Sequence, residues 1–312
     1  MRLEGKAMTK AEHSSAVPMT NAASADILPL IKTGNVDVLS KLNCDFLEEY
    51  NSAKSVRKYT RETAGSGIGY LLDHDYGEIY RDVLENYIPK SRVQAGVRLW
   101  EFGCGGGMNL VHLVSTLDRL GTPPSCAYGT DFSETLIEAA NREANMYLPP
   151  QQNKNVQFCV AKNENLIADA STRLGVSRNS LLGSFDLIVG INTIRYCHRL
   201  KNENECVAAI FDLLCHGGVC IVIDMNDKFP AFRTRFHDRL TKEKSAYYLP
   251  TLDEYARPFS STGFEILKKE NFCWVPHSAG PGLTTVMRTL TPLLNALVPR
   301  HAMRSLVVAR KI

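Results

Sequence analysis

Nowhere does the chain run apolar without interruption for the ~18 residues that a membrane-spanning helix needs. Its first residues, MRLEGKAMTKAEHSSAVPMTNAASAD, also lack the continuous apolar core of a secretory signal. The nine cysteines contain no CxxC pair, so the ligand spacing of a zinc site is missing and no metal is expected. Their odd number, and the position of several inside apolar runs, suit buried thiols in a reducing compartment, and a cytoplasmic protein is expected. Charge of one sign is scarce too: the formal net charge is +3 over 312 residues, which gives little reason to expect a nucleic-acid partner. Acidic residues stop at Glu270, after which come Arg288, Arg300, Arg304, Arg310 and Lys311. That tail of the sequence is read either as a mildly basic patch or as an ordinary solvated face. No internal repeat of solenoid length is visible.

What is present is a composition, 44% hydrophobic and 22% charged, able to build a sizeable core. Residues 1–40 are rich in Ala, Ser, Thr and Asn and read as a flexible tail. Residues 41–95 read as a helical N-terminal lid segment, with apolar and aromatic residues at helical spacing over Asp45–Arg61 and Tyr76–Tyr87. Gly65, Gly67 and Gly69 between them mark a flexible joint, either a hinge or a loop. Over 96–312 strands and helices alternate, the pattern of an α/β fold with a mainly parallel sheet. Strands are expected at Val97–Phe102, Cys126–Thr130, Val156–Val160, Phe185–Ile191, Val219–Asp224, Phe264–Glu270 and Leu306–Arg310. Helices are expected at Leu110–Leu120, Glu134–Tyr147, Asn204–Leu214 and Leu252–Ser261, with Gly217-Gly218 as a helix stop. Two insertions near 227–249 and 280–303 follow strand ends on the ligand side of such a sheet, and are read as parts of a lid.

The run LWEFGCGGG, Leu99 to Gly107, ends an apolar strand in Glu101 and turns at once on Gly103, Gly105 and Gly107. Glycine permits φ > 0 and close approach of a ligand to backbone, so the turn reads as a cofactor cradle. A dinucleotide loop would follow GxGxxG, but Met108 stands where the third glycine belongs. The spacing is ExGxGxG instead. A carboxylate beside the loop disfavours a diphosphate and favours an ammonium or sulfonium group, and S-adenosylmethionine carries both. A second acid, Asp131, ends the next strand, where it can accept both hydroxyls of a ribose. Asp131 or Ser133 can equally cap the helix that starts near Glu134.

On these features the chain resembles the class I S-adenosylmethionine-dependent methyltransferases over roughly 96–312. The resemblance rests on ExGxGxG at 101–107, Asp131, FDLIVGINTI at 185–194, LLCHGGVCIVID at 213–224 and SLVVARK near the end. It implies a Rossmann-like seven-stranded sheet with helices on both faces and an antiparallel last strand. It also implies S-adenosylmethionine as cofactor. Gly103, Cys104, Gly105 and Gly107 would lie along its methionyl part, Glu101 near its ammonium, Asp131 on the ribose and Phe132 beside adenine. Lys162 occupies the place where the family often has an acid for the adenine amine, so Asn163 or Glu164 takes that role. Asn192, after the fourth strand, joins the cofactor set.

Methyl transfer needs alignment above all, and a base only where the acceptor arrives protonated. Tyr196 and His198 follow the fourth strand and are candidates for catalysis, with His237 from the first insertion; His198 can also be a loop or solvent histidine. Tyr59, Tyr76 and Arg195 are candidates for substrate binding, and His74 and Asp75 adjoin them. Tyr50, Tyr70 and Tyr80, with Phe232, Phe236, Tyr247 and Tyr248, either wall the acceptor or pack the core. INTIRY lacks the Pro-Pro-aromatic run of base-amino methyltransferases. The reading is an enzyme methylating an O or N nucleophile of a small molecule. A protein or RNA methyltransferase using the basic C-terminal patch, and a non-catalytic binding module, are the alternatives; homodimer formation stays open.

Overall fold

The computed structural model describes residues 50–51, 60, 66–230 and 249–312. The chain divides into two units, Met1–Glu48 and Glu49–Ile312, and all described residues belong to the second. The 1–40 tail, Tyr59, His237 and most of the Asp45–Arg61 helix and of the 227–249 insertion lie outside the described residues.

Seven strands form one sheet in the order β3-β2-β1-β4-β5-β7-β6. They are β1 Arg98–Phe102, β2 Cys126–Asp131, β3 Val156–Val160, β4 Phe185–Ile191, β5 Leu214–Met225, β6 Phe264–Phe272 and β7 Arg304–Lys311. β1 to β5 pair in parallel, while β7 inserts antiparallel between β5 and β6. The Rossmann-like sheet and the antiparallel last strand thus stand as the resemblance implied. Chain order reverses between β1 and β4, and the crevice at their C-terminal ends is where such sheets bind ligands.

The strands are apolar runs because both faces are covered. Leu99, Leu187, Val189, Val219, Ile221 and Ile223 point into one core, with Val111 and Val114 from the helix after β1 and Ile79, Tyr80 and Val83 from an N-terminal helix. Their neighbours in sequence, Trp100, Ile188, Cys220 and Val222, point into the other, against Leu166, Val207, Ile210, Tyr255 and Phe259. This period of two divides the sheet into its faces.

The helices that matter for the site are α1 Ser66–Tyr70, α2 Tyr76–Asn86, α3 Met108–Arg119, α4 Glu134–Tyr147, α5 Ile194–Leu200, α6 Glu203–Leu213, α7 Leu252–Thr262 and α8 Pro281–Leu297. Ser133 caps α4 by accepting from Leu136 N, and Thr251 with Glu254 forms a capping box on α7. α1 runs through a π-helical turn, Leu71–Asp75, into α2.

Two sequence expectations are corrected. Gly67 and Gly69 are not a joint but part of α1. A Cβ at Gly67 would collide with Pro276 O, and its amide donates to Ala279 O at 3.0 Å, so close backbone approach explains the residue. Gly217-Gly218 is not a helix stop: α6 has already ended at Leu213, and both glycines lie within β5. Gly217 has φ 76°, beside a register shift between Phe185 and Leu187 in the β4–β5 pairing. Among the described residues no helix is long and apolar enough to cross a membrane.

Candidate active site

β1 carries Glu101 into the buried end of the sheet, and the chain then turns with Gly103, Gly105 and Gly107 all at positive φ. A Cβ at Gly107 would stand 2.8 Å from Ala140 Cβ. Gly107 therefore gives the close packing of α3 on α4 that a third dinucleotide glycine gives elsewhere, one position earlier than that fingerprint. The loop is tied to its neighbours by Cys104 N donating to Thr130 O at 2.8 Å, while the Cys104 side chain is buried.

Asp131 closes the loop from the end of β2. Its two oxygens accept from Gly105 N and Ser133 N, each at 3.0 Å. Burial pushes its carboxyl up to about 6, against the pull of the Ser133, Gly105 and Phe132 amides. Asp131→Ala frees both amides and removes the acid expected to meet the ribose. The expected outcome is about 100-fold weaker S-adenosylhomocysteine binding in calorimetry, worth roughly 2.7 kcal/mol; unchanged affinity rejects this role.

Glu101 is held by a relay that starts on the N-terminal helix. Tyr80 OH donates to Asn109 Oδ1 at 2.6 Å, and Asn109 Nδ2 donates to Glu101 Oε1 at 2.9 Å. Glu101 Oε2 is buried without a hydrogen-bond partner. Burial pushes the carboxyl up to about 8, against the Asn109 hydrogen bond and the Leu110 amide. A buried orphan oxygen calls for a donor or a cation, and an α-ammonium is both. The residues present therefore fit S-adenosylmethionine, with Glu101 and the glycine turn to hold its methionyl end.

The loop after β4 supplies the other wall. Asn192 takes φ 57°, its amide donates to Ile223 O at 2.7 Å, and its Oδ1 accepts from Arg304 Nη1. A left-handed non-glycine residue at a strand end is a form of strain often found in active sites. Arg195 is buried: its amide donates to Asp224 Oδ2 at 2.9 Å, and its guanidinium lies 3.6 Å from Asp224 Oδ1. Its Nη2 donates to Tyr196 OH at 2.6 Å, and its guanidinium stacks over that ring. Tyr196 OH also meets Tyr50 OH, and Tyr50 sits edge-on to both Tyr196 and Phe132. The structure thus brings Tyr196, Phe132 and Arg195 together, and adds Tyr50.

Other expected site residues are placed differently. His198 Nδ1 lies 3.2 Å from Glu203 Oε1, a hydrogen-bonded contact between α5 and α6. Burial acts to raise the Glu203 carboxyl, but the His198 contact prevails and holds it below its ordinary value. Asn163 Nδ2 donates to Cys197 Sγ at 3.4 Å, and Glu164 is exposed on the same short 3₁₀ turn. Tyr76 is a core residue, 2% exposed, its hydroxyl pushed up to about 12 by burial, with Phe272 alongside. Asn109, Arg304 and Cys273 went unsuspected in the sequence. Cys273 has φ 67° and shares a hydrogen bond with Asp75, whose carboxyl burial raises.

Residues 100–220 match a family model described as a methyltransferase domain. No curated protein matches the chain. Among solved structures, an S-adenosylmethionine-dependent methyltransferase from Methanosarcina mazei is similar with a TM-score of 0.51 and 14% identity, covering 74% of this chain and 97% of that one. The carbon methyltransferase CurJ is similar with a TM-score of 0.51 and 15% identity over 82% of this chain. This chain spans 57% of the length of that one. At such identities the likeness shows the fold. The domain match, the sheet order and the glycine turn closed by Asp131 together define an enzyme of methyl transfer. Residues 100–220 thus form a methyltransferase domain, and S-adenosylmethionine is the cofactor that its residues fit.

Proposed function

We propose that the enzyme methylates an oxygen or nitrogen nucleophile of a small molecule. The observation that carries this reading is the aromatic cluster beside the cofactor loop, where Tyr50 stands edge-on to Phe132 after β2 and to Tyr196 after β4. α2 buries Tyr76 and Tyr80 in the core that holds Leu99 and Leu110, and Tyr80 reaches Glu101 through Asn109. Aromatic side chains that converge beside the cofactor loop suit a small acceptor held among them. Four of the five basic residues of the C-terminal patch are engaged within the fold, Arg288 over the Tyr70 ring and three others as follows, which counts against an RNA or protein acceptor at that patch. Arg304 is buried, Arg310 pairs with Glu265 at 2.5 Å, and Lys311 donates to Phe211 O and Leu214 O.

When bound, S-adenosylmethionine supplies a methyl group on a sulfonium, open to in-line displacement by the acceptor. Glu101 and the glycine turn hold the donor end, and Asp131 fixes the loop against the ribose. Tyr196, set by Arg195 and Tyr50, faces the acceptor as the orienting hydroxyl and a route for a proton. His198 serves as a positioning residue that keeps α5 against α6 through Glu203.

A methyl-transfer screen with labelled donor tests the substrate class; turnover of protein or RNA pools, with none of small molecules, overturns it. Tyr196→Phe is expected to lower kcat by about 10- to 100-fold, and His198→Ala by less than about tenfold, with cofactor affinity kept in both. The reverse order in steady-state kinetics would return the role of base to His198.

A further inference from the structure

α8 is mounted with its more apolar side outward. Thr284, Met287, Thr291 and Leu294 are its buried or half-buried positions, whereas Leu283, Val286, Leu290, Leu293 and Leu297 are 41% to 69% exposed. With Val298, these make six of the twelve exposed large apolar residues among the described residues. Their spacing of three and four draws one stripe about 21 Å long at 1.5 Å per residue. The helix is fixed in this orientation, for Trp274 Nε1 donates to Asn295 Oδ1 at 2.7 Å and Arg288 lies over the Tyr70 ring. An exposed apolar strip of this extent marks a contact surface.

Charge identifies the partner. Residues 271–312 include no carboxylate side chain, and Arg288, Arg300 and His301 are exposed on the helix or just beyond it. Arg288 lies on the opposite side of the helix, over Tyr70, while Arg300 stands just past the C-terminal end of the stripe, and a seam between two copies would offer it no acidic residue of this segment to pair with. An anionic lipid surface complements both features, since it takes up apolar side chains at the headgroup boundary and attracts Arg300 at the end of the stripe. α8 lies between the end of β6 and the start of β7, on the same edge of the sheet as the cofactor loop. We propose that α8 is a docking helix for an anionic membrane surface, whichever group the enzyme methylates.

Co-sedimentation of the full chain tests this with phosphatidylcholine vesicles, pure or about one third phosphatidylserine. The wild type is expected to bind the anionic vesicles and to be released by salt. The exposed double substitution Leu290→Ser/Leu293→Ser is expected to weaken that binding by about tenfold or more, with the same melting temperature and S-adenosylhomocysteine affinity. Arg300→Glu is expected to weaken binding to anionic vesicles only. Three results would overturn the proposal: no binding by the wild type, binding unchanged in the leucine variant, or a dimer in solution that the leucine variant dissociates.

Discussion

Glu101→Gln is expected to act in opposite directions on stability and on cofactor affinity. Burial raises the Glu101 carboxyl from 4.5 to about 8 in the folded protein. Between those values the unfolded chain has lost this proton and the folded chain still holds it, so the cofactor-free protein loses stability as pH rises. The loss is on the order of a few kcal/mol, complete only above about pH 8. Asp131 contributes in the same sense, but only from 3.8 to about 6. Of these two acids, Glu101 alone therefore sets the slope between about pH 6 and 8. Glutamine does not titrate, so the variant is expected to hold its melting temperature across that window and to exceed the wild type at pH 8.

The ligand reverses the ranking. S-adenosylhomocysteine keeps the ammonium, which needs the ionised carboxylate, so wild-type affinity is expected to climb with pH and level off above about 8. The variant is expected to bind roughly 10- to 100-fold more weakly at pH 8, and without that climb. Thermal melts and calorimetry on the same pH series would decide it. Parallel curves for the two proteins would remove Glu101 from the ammonium site.

Why Glu101 and Asp131 were legible in the sequence, and Asn109 and Arg304 were not, follows from the range of their contacts. An acid two residues before a glycine turn is fixed by local geometry, and so is one at a strand end. β3 and β4 have the bounds expected of them, because a buried parallel strand is a short apolar run flanked by polar residues. Asn109 acts through Tyr80, 29 residues away, and Arg304 through Asn192, 112 residues away. Neither separation leaves a trace in spacing. Gly67 misled for the same reason: its need for a bare Cα comes from Pro276 and Ala279, across the fold. α8 was hidden by its inverted amphipathicity, with threonines facing in, and Tyr50 and Tyr196 could each be named as candidates while their contact, 146 residues apart, could not.

Asp224→Ala is expected to be the most damaging to stability of the changes considered. Asp224 is fully buried at the end of β5 and accepts from Arg195 N at 2.9 Å and Met225 N at 2.8 Å. Burial raises its carboxyl despite the pull of Arg195, so desolvation outweighs the attraction and the pair is a device for position more than for stability. Alanine leaves the Arg195 guanidinium buried beside an empty carboxylate site and frees two backbone amides. A loss of about 3–5 kcal/mol is expected in denaturant melts. Arg195→Met is expected to cost less, since Asp224 keeps both amides. In the double variant Arg195→Met/Asp224→Ala, the unpaired charge is gone and only the amides remain, so its loss is expected to fall below that of Asp224→Ala alone. Strict additivity in this cycle would mean that the ion pair does not hold the Asn192–Tyr196 loop to the sheet. The carriage of Tyr196 to the acceptor would then rest on Tyr50 and the backbone.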